Sequence, residues 1–142
     1  MSFNVLVVDD SAVMRSMIIR ILRLSGLSFS EIYEASNGRE GLDILDKKWV
    51  DLALVDINMP VMNGEEMIDQ MKADPELANL PTIVISTEGS ATRIERLENK
   101  GVKFIHKPFT PEIIRDAIQA LTGIGGSDAS TEIGDSDDSE AF

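Results

Sequence analysis

The 142-residue sequence contains no cysteine. Disulfide cross-links and thiolate metal sites are thereby excluded, and the composition suits a reducing compartment such as the cytoplasm. Positive charge is scarce: 13 Lys and Arg stand against 25 Asp and Glu, a formal net charge of −12. A chain this acidic lacks the basic footprint that nucleic acid requires. There is no apolar run long enough to span a bilayer, and no basic-then-apolar leader at the N-terminus. These absences point to a globular protein that engages neither nucleic acid nor membrane. Its length suits one domain with one sizeable core.

The acidity is uneven. Residues 122–142, TGIGGSDASTEIGDSDDSEAF, carry six acidic groups and no basic one, half of the net charge. Rich in Gly, Ser and Asp and poor in large apolar side chains, this stretch cannot bury enough surface to offset its ordering entropy. It is expected to form a disordered acidic tail behind a folded body of residues 1–121.

Within the body, short apolar runs that fit buried strands occur at 5–8, 32–35, 52–55, 82–85 and 102–105. Stretches with helical spacing separate them. The first opens at Ser11, a good N-cap, and carries Met14, Ile18, Ile21 and Leu22 on one face before Ser25-Gly26 ends it. Others are predicted at about 38–47, 64–72, 91–99 and 110–121, the last opened by Thr110-Pro111. The methionines at 14, 17, 67 and 71 share helical spacing and are expected in the core. Five strands alternating with five helices imply an α/β fold, a doubly wound parallel sheet with helices on both faces. Ligands of such sheets bind beyond the carboxyl ends of the strands.

Polar residues gather at those ends. Asp9 and Asp10 follow VLVV, Asp56 follows LALV, Ser86 follows TIVI, and Lys107 lies just beyond VKFIH. Capping alone does not explain two adjacent carboxylates, because Ser11 already fills that role. Three carboxylates close together raise one another's pKa unless a cation sits among them. An all-oxygen donor set favours a hard ion such as Mg²⁺, and a lone Lys beside it suits a phosphoryl oxygen. The constellation reads as a metal-assisted phosphoryl-transfer site with Asp56, on the central strand, as the carboxylate acceptor.

The pieces VLVVDDS, DINMPVMNG (Asp56 to Gly64), IVIS and HKPF, in this order and spacing, resemble the response-regulator receiver family, in particular its CheY-like single-domain branch. The resemblance spans about residues 3–121. It implies a flavodoxin-like (βα)5 fold with strand order 2-1-3-4-5. It also implies that Asp56 is the phosphoacceptor, that Asp10, Asp56 and the Asn58 carbonyl bind Mg²⁺ directly, and that Asp9 helps through water. Ser86 is the implied switch hydroxyl, Lys107 the phosphoryl contact and Phe104 the switch aromatic; Thr87 competes with Ser86 on periodicity alone, but the spacing from Asp56 favours Ser86. The family's Lys107-Pro108 bond is usually cis. Phe104 stands where chemotaxis members carry tyrosine, and Ile57 where they carry tryptophan; the single tryptophan, Trp49, lies away from the site. His106 beside Lys107 is unusual.

The implied function is a phosphorylation-activated switch rather than an enzyme acting on separate substrates. Its partners would be a sensor histidine kinase or a histidine phosphotransfer protein, and a downstream target such as a flagellar motor switch component. A shuttle in a phosphorelay remains open on the residues alone. A Mg²⁺-dependent phosphohydrolase of the haloacid-dehalogenase type is disfavoured, since it would want Asp-x-Asp rather than Asp9-Asp10 and a cap over a small substrate. No output domain is expected after the fifth helix, so output would be intermolecular.

Overall fold

Strand side chains alternate between two helix layers, and this alternation organises the computed structural model, which describes residues 3–124. The elements run β1 (Val5–Val8), α1 (Ala12–Leu24), β2 (Ile32–Ala35), α2 (Gly38–Lys47), β3 (Leu52–Val55), α3 (Gly64–Ala73), β4 (Thr82–Ser86), α4 (Ala91–Glu98), β5 (Lys103–His106) and α5 (Pro111–Thr122). All strand pairs are parallel, in the order β2-β1-β3-β4-β5. The fold class and strand order expected from the sequence are therefore observed.

Val5 and Val7 of β1, Leu52 and Leu54 of β3, and Ile83 and Ile85 of β4 face one layer, where Ile18 and Leu22 of α1 meet Ile114 and Ile118 of α5. The intervening Leu6, Val8, Ala53 and Val55 face the other, against Leu45 of α2 and Met67 and Met71 of α3. A third cluster on that side joins Ile57, Ile68, Val84, Leu97 and Val102, with Phe104 packed against it. The three central strands are buried on both faces and read as continuous apolar runs for that reason.

Strand and helix ends depart from expectation by a residue or so. β4 extends to Ser86 and β5 occupies Lys103–His106, because Ser86 pairs with His106 and accepts the Lys107 N–H on its carbonyl at 2.9 Å. Met67 and Met71 are core residues, but Met14 is only partly buried and Met17 is 50% exposed. The buried stripe of α1 is centred on Ile18 and Leu22, and Met17 stands one 100° step outside it. α5 runs one residue beyond the boundary read from sequence, Gly123 caps it with φ +76°, and Ile124 packs on the core. The rest of the expected acidic tail, 125–142, lies outside the described residues.

Two local features shape the loop after β3. Gly64 opens α3 behind a capping box made by Asn63 and Glu66, and a Cβ there would collide with the Asp56 carbonyl. Val61, on the same loop and 82% exposed, has φ +67°. A β-branched residue is strained in the left-handed region that Asn tolerates. Val61→Asn should raise stability by about 1 kcal/mol, read as a higher denaturation midpoint; a lower midpoint contradicts the strain.

A charge network ties α3 to α4. Glu65 accepts from Arg96 Nε and Nη2 at 2.7 and 2.9 Å and lies 3.1 Å from Lys100 Nζ, which also reaches Asp69 at 2.6 Å. The Arg96 hydrogen bonds, with those of Lys100, hold the Glu65 carboxyl at about 2, against an ordinary value of 4.5. A depressed carboxylate stabilises the fold fully above its unfolded pKa and progressively less as pH falls toward the folded one. The stability difference between wild type and Glu65→Gln should therefore be constant at neutral pH and shrink between about pH 4.5 and 2. Melts across that range check it, and a pH-independent difference would refute it.

Candidate functional site

The parallel register sets the site. Val8 pairs with Val55, so the next residues, Asp9 and Asp56, leave neighbouring strands together; the Asp56 N–H donates to the Val8 carbonyl at 2.9 Å. Asp9 is buried. Its Oδ1 accepts the Ser11 N–H at 2.9 Å and its Oδ2 accepts from Lys107 Nζ at 3.0 Å. Two charge-assisted partners offset the cost of placing this carboxylate out of water. Asp56 Oδ1 accepts the Ile57 N–H at 2.8 Å, and Oδ2 stands 3.6 Å from Lys107 Nζ. Asp10, exposed at the lip, completes a trio whose carboxylate oxygens lie within 4.8 Å of one another.

Ser11 caps α1 through the Met14 N–H, as expected, while Asp9 steadies the turn before it. The adjacent carboxylates thus divide the work: Asp9 faces inward to the turn and Lys107, and Asp10 faces out. Lys107 reaches Asp9 and Asp56 from the loop after β5, where its peptide bond to Pro108 is cis. One cation among three carboxylates leaves local negative charge in excess. Burial pushes the Asp56 carboxyl above its usual range, and the charges of Asp9 and Asp10 act in the same direction while Lys107 opposes them.

Ser86, buried at the end of β4, accepts the Glu88 N–H on Oγ at 3.1 Å, whereas Thr87 is exposed. This resolves the choice left open by periodicity in favour of Ser86 as the inward hydroxyl. Phe104 is partly buried against Ile57, Val84 and Leu97, and His106 meets it edge-on with ring centroids 4.9 Å apart. Ile57 is fully buried beneath Asp56, and Trp49, 76% exposed, lies outside this cluster. Asn58 is exposed on the loop after Asp56.

Sequence reasoning missed two groups here. Arg15 of α1 donates from Nη1 to the Asp9 carbonyl at 2.6 Å and from Nε to Glu34 at 2.9 Å, bracing the turn that carries the acidic pair. Glu88 receives Arg93 Nη1 at 3.1 Å and the Ser90 N–H at 3.0 Å, linking the Ser86 loop to α4. In sequence Arg15 reads as an ordinary polar-face residue; the spacing of Glu88 two positions after Ser86 was the only available signal.

A strand-end carboxylate trio with a lysine among them, on a 2-1-3-4-5 sheet, is matched by the sequence profile described as the response regulator receiver domain, over residues 5–119. The chain belongs to this family. It is 34% identical over 131 residues to a chemotaxis protein CheY homolog of Campylobacter jejuni, covering 91% of this chain and 99% of that one. Against chemotaxis protein CheY1 of Helicobacter pylori it is 36% identical over 122 residues, covering 84% and 97%. The crystallised chemotaxis response regulator CheY4 of Vibrio cholerae superposes with a TM-score of 0.74 at 30% identity, covering 85% of this chain and 99% of that chain. This receiver domain has no helix, among its described residues, long and apolar enough to cross a membrane.

Removing one charge from the trio relieves repulsion. Metal-free Asp56→Asn should melt about 3 °C above wild type at neutral pH. A lower melting temperature would show that Asp56 contributes net stability as a charge.

Proposed function

We propose that this receiver domain is a two-component switch that accepts a phosphoryl group on Asp56 and thereby changes its affinity for a target protein. The observation that carries the proposal is Lys107 Nζ set between Asp9 at 3.0 Å and Asp56 at 3.6 Å, with Asp10 alongside. The donor is a phosphohistidine of a sensor kinase or phosphotransfer protein. An Asp56 carboxylate oxygen bonds to phosphorus as the P–N bond breaks, and the histidine nitrogen leaves with the bonding pair and takes up a proton.

An oxygen-only donor set of three carboxylates fits Mg²⁺ and offers no soft ligand. Asp10, Asp56 and the Asn58 carbonyl would hold the ion directly and Asp9 through water. Bound there, Mg²⁺ supplies charge neutralisation to the transferring oxygens. The chain's own residues do the rest. Asp56 is the nucleophile. Lys107 swings from carboxylate to phosphoryl oxygen, and the Ser86 hydroxyl, released from the Glu88 amide, donates to another. Phe104 then has room to turn inward, which reshapes the face formed by α4, β5 and α5. No separate substrate is turned over, so the protein is a binding module rather than an enzyme. The chemotaxis names of the CheY relatives support a chemotactic role; the cytoplasmic location and a target of the flagellar motor-switch kind are what the family resemblance implies.

The test is chemical. With Mg²⁺ and acetyl phosphate, intact-mass analysis should show one added phosphoryl group on wild type and none on Asp56→Asn, with labelling of wild type abolished by EDTA. Equal labelling of both proteins would overturn the assignment. Unchanged labelling in EDTA would remove the metal from it.

A further inference from the structure

The switch just proposed needs α4 to move, and α4 is weakly anchored by apolar contact. Leu97 is its one buried residue, whereas Gly64, Met67, Ile68 and Met71 are buried in α3 and Ile114, Ala117 and Ile118 in α5. Elements with little buried surface shift most readily. What α4 has instead is charge. Arg93 and Arg96, three residues apart, share the face turned toward α3, and Lys100, two residues past the helix end, joins them at Glu65. There Glu65 takes two hydrogen bonds from Arg96 and stands 3.1 Å from Lys100 Nζ and 3.9 Å from Arg93 Nε. Its side chain is 15% exposed, so water screens these pairs less than it would at an open surface.

The same helix is tied to the phosphoacceptor side. Arg93 Nη1 binds Glu88, and the Glu88 N–H occupies the Ser86 hydroxyl. An unbroken path of polar contacts therefore runs from Ser86 through Glu88 and Arg93 to α4, and from Arg96 of α4 and Lys100 just past its end to Glu65 on α3. Contacts made in one arrangement and broken in the other bias the equilibrium toward the first.

We infer that Glu65 is a positioning residue of the switch, a clamp that holds α4 on α3 and keeps Ser86 committed to Glu88 in the unphosphorylated protein. This rests on the phosphorylation-controlled reading of Asp56. Glu65 touches neither the phosphoacceptor nor its ion, and it acts only through α4. Loss of its charge leaves Lys100 with Asp69 and Arg93 with Glu88 but frees Arg96, so the clamp is weakened and the site is left intact.

The experiment is amide NMR on the full chain in three states: wild type alone, wild type with Mg²⁺ and beryllofluoride, and Glu65→Gln alone. Residues 91–106 of the variant should be displaced along the line joining the two wild-type states, equivalent to about a fivefold rise in the switched-to-unswitched ratio. Collinear displacement at Phe104, which lies on β5 outside the Glu65 charge network, is what a merely structural role would not produce. The charge-swapped pair Glu65→Arg with Arg96→Glu should return those signals to the wild-type apo positions. Variant signals that stay at those positions, while wild type responds to beryllofluoride, overturn the clamp alone. A wild type whose residues 91–106 ignore beryllofluoride overturns the switch reading and the clamp with it. Should Glu65→Gln fail to fold, Arg96→Gln in the same measurement decides.

Discussion

Everything at the functional rim depends on one electrostatic constraint: three carboxylates brought within 4.8 Å of one another, with a single lysine among them. Left to themselves these charges repel. The fold holds them together by attaching each to a rigid support. Asp9 is fastened to the Ser11 amide and Lys107, Asp56 to the Ile57 amide, and the turn beneath Asp9 to Arg15. The excess negative charge that survives is what the proposed Mg²⁺ would neutralise, and it underlies the chemistry proposed at Asp56. Burial of Asp56 sharpens this, because desolvation disfavours its charged form unless positive charge is nearby.

The sheet is what allows such an arrangement to persist. β1 and β3 are buried on both faces and flanked by strands on both edges, so the ends that carry Asp9 and Asp56 are among the stiffest points of the chain. Close approach of the β3–α3 loop adds to this. Gly64 permits the backbone to fold against the Asp56 carbonyl where any side chain would collide. Rigid support beneath and negative charge above are complementary requirements, since a repelling cluster on a flexible loop would disperse.

Apolar anchoring is weakest at α4, whose Leu97 shares the cluster around Ile57 beneath the site. α4 has one buried side chain and is secured to α3 by Glu65, Arg96, Lys100 and Asp69, groups that exchange partners at low cost compared with repacking a core. Phe104 lies, only partly buried, against the apolar cluster that contains Leu97, and His106 meets its edge. A stiff site coupled to a loosely held helix is the physical layout that a binding switch requires.

The alternation of apolar runs with amphipathic stretches, the caps at Ser11 and Thr110, and the polar residues at strand ends were all legible in the sequence, because each is a local periodic or capping signal. From these followed the α/β class and the expectation that Asp9, Asp10, Asp56, Ser86 and Lys107 end strands at one rim; the structure brings Asp9, Asp10, Asp56 and Lys107 together there. The strand order and the individual roles of these residues came through family resemblance, and the order β2-β1-β3-β4-β5 is the one observed. The spacing from Asp56 favours Ser86 over Thr87, and the structure buries Ser86 where β4 pairs with His106 while leaving Thr87 exposed. Tertiary structure alone decided the rest. Met17 is half exposed because the rotation of α1 on the sheet centres its buried stripe on Ile18 and Leu22. The partnership of Glu65 with Arg96, 31 residues apart, depends on how two helices are turned about their own axes. Periodicity identifies a helix and its apolar face, but many exposed charges fit the opposite face equally well. Only packing against the sheet selects which of them meet.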